Sequence, residues 1–135
     1  MDMQELVDNF ALFDDWEGRY EYLISLGREL PPMDDALKTE AAKVRGCMSQ
    51  VWLVLGWDAD GKLTMAADSD AQIVRGLIAV LRTLFAGRTA TEISDIDVAA
   101  AFARLGLDQH LSPNRRNGFF SMVEAVRAFT SRCNG

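Results

Sequence analysis

The chain is poor in soft metal ligands. Its 135 residues include two cysteines, Cys47 and Cys133, and one histidine, His110. Two thiols cannot build a four-thiolate zinc or iron–sulfur site within one chain, so no metal site is expected. Proline occurs three times and no Gly/Ser-rich or Pro-rich linker divides the sequence, which excludes collagen-like and low-complexity classes. Apolar runs are short: those at 51–55 and 76–81 fall far below the roughly 18–20 residues that cross a bilayer. Positive charge is also scarce, with 14 Lys and Arg against 20 Asp and Glu. A negative overall field repels phosphate backbones, and no basic stripe is interleaved with aromatics, so neither nucleic acid nor membrane is expected as a partner. The N-terminal stretch MDMQELVDNF has no basic region followed by an apolar one, and cytoplasmic residence is the expectation.

What is present is a core. Hydrophobic residues make up 49% of a 15.0 kDa chain, enough for one ordinary domain over 1–135 that buries about 70% of its unfolded surface. The acidity is an N-terminal property, since residues 1–35 hold ten acids against two arginines. It reads as a solvated helix face that could also steer a basic partner.

Helical spacing of Met3, Leu6, Val7, Phe10 and Phe13 predicts one amphipathic helix, and Trp16, Tyr20, Leu23 and Ile24 predict another that stops near Gly27 or Pro31-Pro32. The run VWLVLGW reads as a strand, and Asp58-Ala59-Asp60-Gly61 as a turn into a second strand over 62–66. If 42–45 is extended as well, the sheet has three antiparallel strands. Downstream, Asp70 is a candidate N-cap for a helix carrying Ile73, Leu77, Val80, Leu81 and Leu84. Thr89 and Glu92 have capping-box spacing, Asp97 caps a helix that ends before Gly106, and Ser112-Pro113 opens a last helix with Phe119, Met122, Val123, Val126 and Phe129 inward. The expected class is α+β, a three-stranded antiparallel sheet flanked by helices.

Cys47 lies in RGCMSQVW, after Gly46 and just before a strand. Lys38, Lys43 and Arg45 are close in sequence, and positive charge favours the reactive thiolate. A lone cysteine reads equally as a small buried hydrophobe, and spacing alone does not choose between the two. Trp52 reads as an aromatic anchor in the core.

GCMSQVWL resembles the active-cysteine segment of the SufE family of sulfur acceptors, including its CsdE branch. The stretches WEGRYEYLISLGRELPPM, DSDAQIVRGLIAVL and HLSPNRRNGFFSM resemble the same family in the same order and span nearly the whole chain. Met48 and Ala42 stand where many relatives carry Gln and Asn. The resemblance implies a SufE and IscU-like fold with Cys47 on the loop before a strand. It implies that Cys47 accepts sulfane sulfur from the persulfide of a pyridoxal-phosphate-dependent cysteine desulfurase, SufS-like or CsdA-like, and stimulates that enzyme for iron–sulfur cluster assembly. The pyridoxal phosphate belongs to the partner, so this chain needs no cofactor, and a downstream scaffold or other acceptor takes the sulfur. The chain is then a covalent carrier without turnover of its own. IscU-like proteins hold a cluster on three cysteines, which this chain lacks.

Gly46, Ser49, Gln50, Asp70, His110 and Arg115 are candidates for supporting the cysteine loop or meeting a partner, each with a plain structural alternative. Asp70 suffices as a helix cap, His110 as a structural histidine and Arg115 as a solvated charge in a first helical turn. A Cys47–His110 dyad would instead mark an acyl enzyme. A non-catalytic adaptor with a structural Cys47 is the other alternative. Cys133 receives no role.

Overall fold

A computed structural model describes residues 2–44 and 49–133, with the side chains of Arg132 and Cys133 outside the description. The expectations for Gly46, Cys47 and Cys133 therefore lie outside the described residues or side chains.

Helix α1 spans Met3–Ala11 and α2 spans Trp16–Arg28. Each begins where an aspartate supplies the missing partner of a first-turn amide: Asp2 accepts from the Glu5 N–H at 2.8 Å, and Asp15 from the Gly18 N–H at 2.8 Å. Helix α1 ends two residues before the predicted Phe13, with the Leu12 N–H turned back to the Asn9 carbonyl and the Phe13 N–H to the Phe10 carbonyl. Pro31 and Pro32 then keep the chain irregular as far as a 3-10 turn at Asp35–Leu37.

Strands β1 (Val51–Trp57) and β2 (Leu63–Ser69) form an antiparallel hairpin whose register runs from Val51 opposite Ser69 to Trp57 opposite Leu63. The Asp58 carboxylate accepts from the Asp60 and Lys62 amides, and Gly61 takes the left-handed φ of +74° that closes the turn. Strand β2 runs three residues beyond the predicted 62–66, because pairing with β1 overrides the weak strand preference of Ala67, Asp68 and Ser69.

The third strand is not shown. Among the described residues it is reduced to an isolated antiparallel bridge between Lys43 and Trp52, flanked by Val44 N–H to Val51 O and Leu53 N–H to Ala42 O, both 2.9 Å. The reason is local. The Ala42 and Lys43 amides bond back to the Thr39 and Glu40 carbonyls, so the chain is still turning when pairing starts.

Helix α3 (Gln72–Phe85) follows β2, then come α4 (Ala90–Ser94), α5 (Val98–Arg104), α6 (Leu107–His110) and α7 (Pro113–Cys133). Thr89 and Glu92 make both bonds of the predicted capping box, and Asp97 caps α5 through the Ala100 N–H at 3.0 Å. The four-residue α6 carries no periodic signal long enough to expect. The sheet turns Val51, Leu53, Leu63, Met65 and Ala67 into one core with the buried stripes of α3 and α7. Helix α3 packs on α2 and β2, and α7 on β1, α3 and α4. Helices α2 and α3 touch backbone to backbone. A Cβ on Gly76 would stand 2.3 Å from the Leu23 carbonyl oxygen, and one on Gly27 would stand 2.6 Å from the Gly76 nitrogen. The fold is α+β, a two-stranded sheet with helices packed on its core face.

Candidate functional site

The segment 45–48 is bracketed by two anchors. On one side the Val44 N–H bonds the Val51 carbonyl at 2.9 Å. On the other, the Asp70 carboxylate accepts from the Gln50 N–H at 3.1 Å while the Asp70 N–H donates to the Gln50 carbonyl at 3.3 Å. Both anchors converge on the start of β1, which the buried Val51 fixes in the core.

Asp70 is thus placed differently from the capping role expected of it. Helix α3 starts at Gln72 with Ala71 as its cap residue and no side-chain cap bond, and the Ser69 hydroxyl accepts from the Ala71 N–H. The Asp70 carboxylate reaches across to β1 instead. Gln50 itself is exposed and takes part through its backbone.

Beside Ser49 opens a cavity of about 390 Å³. Val51, Val74, Leu77, Phe119 and Met122 make its apolar floor, and Ser49, Ser112, Asn114 and Arg115 stand among the polar groups around it. The sheet supplies Val51, α3 supplies Val74 and Leu77, and the first three turns of α7 supply the rest of the floor and much of the rim. The Ser112 hydroxyl, expected to open α7, accepts from the Arg115 N–H at 3.3 Å. Cys47 is two peptide units from Ser49, so covalent geometry alone keeps their Cα atoms within about 7 Å.

The candidates are only partly gathered. Ser49 and Arg115 line the cavity, and Asp70 and Gln50 hold its adjoining strand end. His110 is exposed and stacks on Trp16 with ring centroids 4.7 Å apart, and it is not among the described residues lining the cavity.

Lys38 and Lys43, expected to favour a thiolate, are committed to carboxylates. Lys43 pairs with Glu40 at 2.9 Å, and Lys38 with Asp68 at 3.0 Å and Asp35 at 3.3 Å. Asp68 also has Arg75 Nε at 3.1 Å, an ion pair whose N–H is not aligned on the oxygen. Burial pushes the Asp68 carboxyl up, but bonds from Lys38 and the Ser69 N–H, with the charges of Lys38 and Arg75, outweigh it and hold the group below its ordinary value. The same contacts, Asp68 first and then Asp35, raise the Lys38 ammonium above its ordinary value.

Trp52 corrects a further expectation. It is half-buried and points to the sheet face opposite Val51 and Leu53, where Lys38 Nζ lies 5.4 Å from its ring centroid. Strand alternation puts either residues 51 and 53 or residue 52 in the core, not both. Sequence reasoning missed Asp68 and the cavity residues Ser112 and Asn114 as neighbours of the site. Asp68 was visible in DSD, but strand register decides which of its two acids meets Lys38.

Among the described residues no three of His, Cys, Asp and Glu converge as metal ligands, and no helix is long and apolar enough to cross a membrane.

A family of proteins with this architecture matches the chain. Residues 4–130 match the SufE family, described as an Fe-S metabolism associated domain. An uncharacterized SufE-like protein of Rhizobium meliloti is 43% identical over 129 residues, covering 93% of this chain and 92% of that one. An uncharacterized SufE-like protein of Rhizobium etli is 41% identical over 128 residues, covering 93% of this chain and 86% of the relative. The solution structure of a hypothetical protein from Thermus thermophilus superposes with a TM-score of 0.77 at 17% identity, covering 96% of this chain and 93% of that one, and so shares the fold. The chain belongs to the SufE family and to its setting in iron–sulfur metabolism.

Proposed function

We propose that the protein is a sulfur acceptor and relay that carries sulfane sulfur on Cys47, from the persulfide of a pyridoxal-phosphate-dependent cysteine desulfurase toward iron–sulfur assembly. The observation that carries the reading is the cavity beside Ser49, apolar at its floor and polar at its rim, next to a segment bracketed by two hydrogen-bonded anchors. A carried persulfide must be kept from solvent oxidants and reductants between partners, and a nearby apolar pocket supports such shelter. It must also be presented to a partner, and the flanking bonds of Val44 and Gln50 fix the two points between which Cys47 lies in the chain.

The chemistry is thiol exchange. The Cys47 thiolate attacks the outer sulfur of the donor's Cys–S–SH, the S–S bond to the donor breaks, and the donor sulfur leaves as thiolate. Removing the persulfide frees the desulfurase for another turnover, which is how the carrier stimulates it. The carrier needs no cofactor of its own for this exchange, and it has no turnover without its partners.

Alanine release by a SufS-like desulfurase, measured with wild type and Cys47→Ser, tests the reading. Wild type stimulates release and the variant binds the desulfurase yet loses most of the stimulation. Equal stimulation by both proteins would overturn the relay and leave a non-catalytic adaptor.

A further inference from the structure

The cavity beside Ser49 offers more than shelter for one sulfur. At about 390 Å³ it lies within the roughly 300–1,000 Å³ typical of small-molecule sites. The arginines of the chain set Arg115 apart. Arg19, Arg82, Arg88, Arg116 and Arg127 each donate to a backbone carbonyl, Arg104 donates to Gln4, and Arg75 pairs with Asp68. No side-chain bond or ion pair is present for Arg115 or Arg28 among the described residues, and of these two only Arg115 lines the cavity. An unspent guanidinium fork with Asn114 and the Ser112 and Ser49 hydroxyls beside it suits a carboxylate, while the apolar floor suits a short hydrocarbon body.

We propose that this cavity binds a small carboxylate-bearing thiol, anchored by Arg115, and that such a thiol is a direct acceptor of the carried sulfur. The acceptor half rests on the relay reading; the binding half does not. In the transfer the small thiolate attacks the outer sulfur of Cys47–S–SH and a new S–S bond forms to it. The bond to Cys47 breaks, Cys47 leaves as thiolate, and the sulfhydryl proton stays on the moved sulfur. No net oxidation occurs.

Binding is tested on Cys47→Ser protein by amide NMR titration with 3-mercaptopropionate, propionate and 2-mercaptoethanol. Saturable shifts at Ser49, Asn114 and Arg115 are expected with the two carboxylates and not with the neutral thiol. Arg115→Gln is expected to weaken binding about tenfold, Arg115→Lys to restore part of it, and the remote Lys62→Gln to leave it unchanged. Absent or non-saturable shifts, an equal response to 2-mercaptoethanol, or indifference to Arg115→Gln would overturn the site.

Transfer is tested by loading Cys47 with sulfur and comparing discharge to 3-mercaptopropionate and to 2-mercaptoethanol. The ratio between the two thiols, compared in wild type and Arg115→Gln, cancels their own nucleophilicities. A ratio that falls about tenfold in the variant supports the acceptor assignment, and an unchanged ratio overturns it. Failure of Cys47 to load at all would be a failure of the relay reading, separate from the titration.

Discussion

Two residues show how tightly single positions are constrained. Gly76 sits where α3 meets the Leu23 carbonyl of α2, and a methyl group there would lie 2.3 Å from that oxygen. Backbone cannot yield as a flexible side chain does, so Gly76→Ala is expected to cost at least about 2 kcal/mol in urea unfolding. An unchanged midpoint would mean that the two helices are not in backbone contact. Asp70 holds Gln50 by two bonds. Asp70→Ala should lower stability by about 1 kcal/mol and accelerate hydrogen exchange at the Gln50 amide more than at the amides of β1. Both roles were hidden in the sequence for the same reason. Gly76 lies unmarked inside the apolar run of α3 and Asp70 carries the local signature of a helix cap, whereas what each does is set by a partner on another element. A long-range contact leaves no mark on local spacing.

At the scale of elements, much was legible because the signals are local and physical. The capping pairs at Asp97 and at Thr89 with Glu92, the Asp-Gly turn and the VWLVLGW strand all appear where the residue types place them. Thr89→Ala should remove the bond that the Thr89 hydroxyl accepts from the Glu92 N–H, leave the Glu92 carboxylate on the residue-89 amide, and cost about 1 kcal/mol, read as a shifted denaturant midpoint with an unchanged m-value. The third strand was not legible, since two turning amides just before it cannot be weighed from composition. The ion cluster of Lys38, Asp68 and Arg75 ties the segment before β1 to the hairpin and to α3. Its pH dependence has two signs. The Asp68 contribution is present above the ordinary carboxylate range near pH 4 and is lost as pH falls through its lowered native value. The Lys38 contribution is present below about pH 10 and is lost as pH rises through its raised native value. The stability difference between wild type and Asp68→Asn should therefore be flat from about pH 5 to 9 and shrink in acid and in strong base. A difference that grows on acidification would contradict the assignment.

Over the whole molecule, the excess acid and the cavity come from different parts of the chain. The N-terminal acids include the caps Asp2, Asp15 and Asp34, so part of the acidity that composition reports is spent on helix and turn starts. The place where β1, α3 and the start of α7 meet carries the cavity and the uncommitted Arg115. The family was readable from four motifs in order, because they span nearly the whole chain. The cavity was not, because its walls come from residues 49 to 122 and assemble only through the packing of α3 and α7 on the sheet. The central claim is that Cys47 holds the transferred sulfur. Intact mass spectrometry after incubation with a cysteine desulfurase, pyridoxal phosphate and free cysteine tests it most directly. Wild type should gain the mass of one sulfur atom, lost on reduction, and Cys47→Ser should gain none. Wild type that binds the desulfurase and gains no sulfur, or a Cys47→Ser variant that gains it equally, would contradict the account.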